Sequence, residues 1–118
     1  MIIERIIRDR LEREIWLPVF LEKPDSSSGN LPERYVTIEK TGGSRGNYVV
    51  NRSTLAIQSY GRTREEAAEL NETVKDKMLE KLIALRQIGS IKLNSDYDFT
   101  DTETKRYRYQ AVFEITHY

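Results

Sequence analysis

From Ile91 to Ile115 the chain alternates between apolar and polar residues. Ile91, Leu93, Tyr97 and Phe99 fall on one set of every-second positions, and Lys92, Asn94, Asp96 and Asp98 on the other. After a short break the pattern returns, with Tyr107, Tyr109, Ala111, Phe113 and Ile115 set against Arg106, Arg108, Gln110 and Glu114. Successive side chains of a strand point to opposite faces, so two such runs predict a hairpin with one dry and one wet side. Pairing Phe99 with Lys105 would set Asp98 opposite Arg106 and Asp96 opposite Arg108. Each is a favourable cross-strand charge pair, and Tyr97 would face Tyr107 on the dry side. A sheet that is apolar on one side must be covered, so the rest of the chain has to supply the cover.

Two segments are suited to that role. Ala67, Leu70, Val74, Met78, Leu82 and Leu85 recur at three- and four-residue spacing, the stripe of a helix with one buried side. Thr63 stands where an N-cap hydroxyl is needed, and Glu66 lies three residues on, as in a capping box. Glu65 and Glu66 suit the positive end of the helix dipole, and Gly89 suits the helix exit. Near the N-terminus Ile3, Ile6, Ile7, Leu11 and Ile15 form a second stripe, which predicts a helix over Ile2 to Glu14.

Between the helices lie strand signals. Leu17 to Leu21 is a short apolar run, read as a first strand; Pro18 has no amide hydrogen, so the strand lies at a sheet edge or begins there. Lys23 to Arg34 is rich in serine, proline, glycine and asparagine and reads as a long loop. Tyr35 to Ile38 has the β-branched and aromatic content of a strand. Gly42, Gly43, Gly46 and Asn47 predict a turn, with a return through Tyr48, Val49 and Val50. An interruption at Asn51 to Ser53 reads as a bulge, and Leu55, Ile57 and Tyr60 continue the strand. The expected architecture is α+β: a mostly antiparallel sheet with one long helix and an N-terminal helix packed on one face, in a single domain over residues 1–118.

Composition narrows the function classes. The chain has no cysteine, which removes disulfides, thiolate metal sites and thiol chemistry. Lys and Arg number 19 and Asp and Glu 19, so the basic excess of a dedicated nucleic-acid binder is missing. No apolar run approaches the roughly 20 residues of a membrane span. The charges within Met1 to Glu14 interrupt any signal-peptide core, so the chain is expected in the cytoplasm when made.

The candidate chemistries read as structural. His117, the only histidine, continues a strand alternation at the chain's end. Asp96, Asp98 and Asp101 do not match a calcium loop, which needs glycine at the sixth position and glutamate at the twelfth; counting from Asp96 these are Asp101 and Tyr107. Thr41 to Gly46 looks like a phosphate cradle but is followed by strand-like Tyr48-Val49-Val50 rather than a helix. No serine stands in a Gly-x-Ser-x-Gly elbow. Trp16 reads as a core anchor, with a partner contact as the alternative. Lys40, Arg45, Arg52, Arg62 and Arg64 cluster in sequence. Of these, Lys40, Arg45, Arg52 and Arg62 are the candidate partner-binding residues. With Tyr48 and Tyr60 nearby, a nucleic-acid groove is the competing reading.

Several segments carry a family resemblance. Tyr35-Val36-Thr37-Ile38-Glu39-Lys40-Thr41-Gly42-Gly43 resembles the early strand and glycine pair of the tail-terminator and head–tail joining (minor capsid, tail completion) proteins of long-tailed bacteriophages. Leu55 to Gly61 is similar to that family's central strand, which ends in an aromatic and a small residue. Thr63 to Leu70 resembles the start of its main helix, and Arg106-Tyr107-Arg108-Tyr109 its closing strand. The loop Lys23 to Arg34 departs from the pattern. The resemblance implies a structural virion protein that is not an enzyme and has no cofactor. It implies a ring, usually of six copies, that caps the tail tube and joins it to the head connector or stopper at the virion neck. DNA would pass through that ring without sequence-specific binding, and no membrane is involved. The alternative is a small adaptor or nucleic-acid-binding module.

Overall fold

The computed structural model describes residues 2–24, 32–46, 50–103 and 106–118. Its elements run α1 (Ile3–Ile15), β1 (Val19–Phe20), β2 (Tyr35–Arg45), β3 (Asn51–Gly61), α2 (Arg64–Glu80), a 3₁₀ turn (Leu82–Ala84), β4 (Ile88–Asp98) and β5 (Tyr107–His117). The strands form one five-stranded sheet in the order β1-β2-β3-β5-β4. All neighbours are antiparallel except the two-residue β1, which runs parallel to β2. The α+β class and the two-helix cover expected from the pattern are what the chain forms.

Both helices lie on one side of the sheet. Ile3, Ile7 and Leu11 of α1 and Leu70, Val74 and Met78 of α2 share a core with Val36, Ile38, Leu55, Ile57, Phe113 and Ile115. The Thr63 hydroxyl accepts a hydrogen bond from the Glu66 amide at 3.1 Å, the expected cap. The Glu66 carboxylate turns outward to Arg62. On its opposite side Gly61, at the end of β3, lies against the first turn of α2. A Cβ there would come within 2.7 Å of the Ala67 nitrogen, so the strand-to-helix corner closes only over a residue with no side chain.

Four expectations are corrected. First, β4 carries a bulge between Leu93 and Ser95. One extra residue shifts a period-two pattern by one, so every later side chain changes face. Tyr97 and Phe99 therefore lie on the helix-free face, and Asp96 turns toward α2. The observed partners are Asp96 with Ala111, Tyr97 with Gln110 and Asp98 with Tyr109, and Arg106 pairs with Asp101. The Phe99–Lys105 pairing includes a position outside the described residues, but the charge pairs inferred from it do not form.

Second, α2 stops at Glu80 and tightens into the 3₁₀ turn, where Leu82 stays buried. Short i to i+3 bonds, Ala84 N to Lys81 O and Leu85 N to Leu82 O, end the helix before Leu85. Gly89 is the bulge residue between Ile88 and Ser90 rather than a helix exit. Third, Gly42 and Gly43 lie within β2, and the bulge falls between Lys40 and Gly42 instead of at Asn51 to Ser53. The turn lies further on, closed by Gly46 N to Val50 O at 3.0 Å; Asn47, Tyr48 and Val49 are outside the described residues. Fourth, Trp16 is 89 % exposed, so it is no core anchor. Its φ of 61° ends α1 in a left-handed conformation that turns the indole outward while Leu17 packs against the core.

Candidate assembly surface

The sheet is longer than its cover. Strands of eleven residues span about 36 Å, whereas the seventeen residues of α2 span about 25 Å. The surplus is the end of the sheet that holds the β2–β3 tip, the last residues of β5 and the first of β4. Burial in β2 stops at Ile38, and Glu39 to Arg45 are all exposed, which contributes to the long 44 Å axis of the molecule.

Three of the four candidate partner residues lie on the β2–β3 hairpin, but not on one face. Arg45 pairs with Asn51 and Lys40 with Leu55, which puts both on the side the helices cover, whereas Arg52, paired with Ser44, lies on the helix-free face. Arg45 and Arg52 are both near the hairpin tip. The Arg45 Nε donates to Asn51 Oδ1 at 3.2 Å, which orients the guanidinium without neutralising it. Arg52 and Lys92 line a shallow groove of about 430 Å³ near the hairpin tip, on the helix-free face, with Ser44, Thr54, Thr116 and Glu114. Arg62 is not part of this group. It sits at the opposite end of β3, with ion pairs to Glu33 at 3.2 Å and Glu66 at 3.1 Å. That contact holds the Glu66 carboxyl below its ordinary pKa. Arg64 is also committed, to Asp98 at 3.1 Å.

Sequence reasoning missed the second surface feature, a polar row across the helix-free face. The Thr37 hydroxyl donates to Gln58 Oε1 at 2.5 Å, and Gln58 Nε2 donates to Gln110 Oε1 at 2.5 Å. Gln110 Nε2 then donates to the Tyr97 hydroxyl. The four residues are mutual neighbours on four successive strands. Beside them Tyr35 stacks on Tyr60 with ring centroids 4.4 Å apart. Arg106 lies over both rings, at 5.4 and 5.8 Å, and Arg108 over Phe99 at 4.4 Å. Cations over aromatic faces replace hydrocarbon as the cover on this side. Tyr35 and Tyr60 are buried, so neither offers a face for stacking a base. Tyr48, the other aromatic of the nucleic-acid reading, lies outside the described residues.

Reactive groups sit in structural contacts. The His117 Nε2 is 2.8 Å from Ser53 Oγ, a nucleophile–base distance, but Ser53 is buried, where a substrate carbonyl has no approach. The contact ties the end of β5 to β3. Asp96 accepts from Asn71 Nδ2 and Lys75 Nζ, each at 2.5 Å, and so clips β4 to α2. Asp98 Oδ1 accepts from the Thr100 amide and hydroxyl, which holds its pKa down. Among the described residues no three His, Asp or Glu side chains are grouped to hold a metal ion, and no helix is long and apolar enough to cross a membrane.

Comparison with protein-family models and with curated proteins finds no match for this chain.

Proposed function

We propose that this chain is a structural subunit of the neck of a long-tailed phage virion: it forms a ring that caps the tail tube and joins it to the head connector. One observation carries the reading. The subunit presents different unfilled surfaces at different places: the basic tip of the β2–β3 hairpin, the outer edge of the eleven-residue β4, and an exposed Trp16 next to the short edge strand β1. Two different surfaces that match one another can pair head to tail, and head-to-tail contacts that close by rotation make rings.

The test is addition of the purified chain to tail tubes from a phage lacking its terminator, viewed by electron microscopy. Tubes of defined length bearing a terminal ring, able to join full heads, are expected. Tubes that stay open and extend, with no bound ring, would overturn the role. Salt-dependent binding to DNA fragments instead would point to the nucleic-acid module.

A further inference from the structure

Charge is placed differently on the two helices. In α1 opposite charges stand four residues apart, and three such pairs form: Arg5–Asp9, Arg8–Glu12 and Arg10–Glu14. In α2 the exposed acidic residues are Glu65, Glu69, Glu72, Asp76 and Glu80, beside exposed Arg64, Thr73 and Leu79. Their spacings of four, three, four and four residues align them along the side opposite Leu70, Val74 and Met78. Each neighbouring pair is a like-charge pair at three or four residues, an arrangement that destabilises a helix. Only Glu72 has an ion pair among the described residues, to Lys75 at 2.6 Å. The ridge thus carries repulsion that a cationic partner would relieve.

The same chain holds such a partner surface. On the helix-free face Arg52 and Lys92 are exposed, and neither forms a salt bridge among the described residues. The groove near the hairpin tip is concave and lined by these two with Ser44, Thr54 and Thr116; Glu114 is its one acidic member. The α2 ridge is convex. The ridge lies on the helix-covered side of the sheet and the groove on the helix-free side, so one molecule cannot join its own pair. A second copy can.

We infer that the acidic outer ridge of α2 in one copy docks into the basic groove lined by Arg52 and Lys92 of the next copy. The inference rests on the ring reading and names the two surfaces that make the contact. The contact is heterologous, so an open series keeps one free ridge at one end and one free groove at the other until rotation closes it. It is also electrostatic, so it weakens as salt rises.

Charge exchange tests it, with mass followed by light scattering and fold by circular dichroism at low ionic strength. R52E/K92E and E69K/D76K, each alone, are expected to weaken self-association by roughly tenfold or more. An equimolar mixture of the two variants is expected to associate, because each supplies the surface the other still matches. Wild-type assembly with undiminished association of both single-surface variants would overturn this contact while leaving the ring reading standing. A wild-type chain that stays monomeric at low salt and high concentration would overturn it too, and capping of tail tubes would then decide the joining role separately. Variants that lose their circular dichroism signal are replaced by R52Q/K92Q and E69Q/D76Q, which remove charge without reversing it; unchanged association in both would equally overturn the contact.

Discussion

At the scale of single residues, two positions show how local geometry limits substitution. Gly61 is one. The chain turns from β3 into α2 so sharply that a Cβ would sit 2.7 Å from the Ala67 nitrogen and 2.8 Å from the Glu66 Cβ. The nearest obstacle is backbone, which does not swing aside as a side chain would. Gly61→Ala is therefore expected to destabilise the fold by about 1–3 kcal/mol, read as a lower urea midpoint at constant slope. An unchanged midpoint would mean that the corner is looser than described. Trp16 is the opposite case. Its left-handed backbone is one that glycine adopts freely and a side chain does not, and its exposed ring contributes little to the core. Trp16→Gly should leave folding stability within about 0.5 kcal/mol of wild type or raise it. A clear loss would show that the indole packs. Neither property was legible in the sequence: the glycine stood in an aromatic-small pair with no stated reason, and a lone tryptophan is read as core by habit of composition.

At the scale of elements, both helices and the β4–β5 hairpin followed from periodicity and the other strands from apolar, β-branched and aromatic content, and the face errors of the hairpin collect where one residue breaks the period. The stripe of α2 is helical from Ala67 to Met78, and those residues are buried where expected. The hairpin of β4 and β5 was legible in the same way up to Leu93. A single bulge then exchanges the faces, and nothing in Leu93-Asn94-Ser95 announces it, since polar residues occur on a wet face in any register. The consequence is testable. The alternation placed Asp96 and Asp98 alike on a solvated face, whereas Asp96 accepts from the buried Asn71 and the largely buried Lys75. That contact raises the Lys75 pKa, through the bond to Asp96 first and Glu72 second. Asp96→Ala leaves those donors unmatched and is expected to cost about 1.5–3 kcal/mol. Asp98→Ala removes an exposed pair with Arg64 and should cost less than about 1 kcal/mol. Chemical denaturation of both variants measures the contrast, and equal losses would argue for the unshifted register. The basic cluster was legible only in part. Lys40, Arg45 and Arg52 share the hairpin, but Arg62 is bound at the far end of β3, because β2 and β3 continue past the glycines that sequence alone reads as a turn.

At the scale of the whole molecule, stability should depend on pH in two separate windows. His117 is pushed below its ordinary pKa chiefly by burial, with Lys40 adding to the depression and the Tyr118 backbone and Glu4 opposing it. The folded protein therefore holds His117 neutral at a pH where the unfolded chain has already bound a proton. Stability rises with pH wherever the unfolded state binds more protons. It is accordingly unaffected by His117 well above about pH 6.5 and falls as pH drops through that value toward the lower folded pKa. Glu66 and Asp98 act later. Both carboxyls are held below their usual range, Glu66 mainly by the hydrogen bond from Arg62 and Asp98 mainly by that from Thr100. Their contribution is complete above the unfolded carboxylate pKa of about 4 and is lost as pH falls through the folded values. Thermal melts across pH should then show a first decline near neutrality and a second in acid. His117→Gln keeps a polar group beside Ser53 and cannot titrate, so it is expected to remove the first decline and leave the second. Persistence of the first decline in that variant would assign it elsewhere, and the Ser53–His117 contact would have no part in how the hairpin base responds to pH.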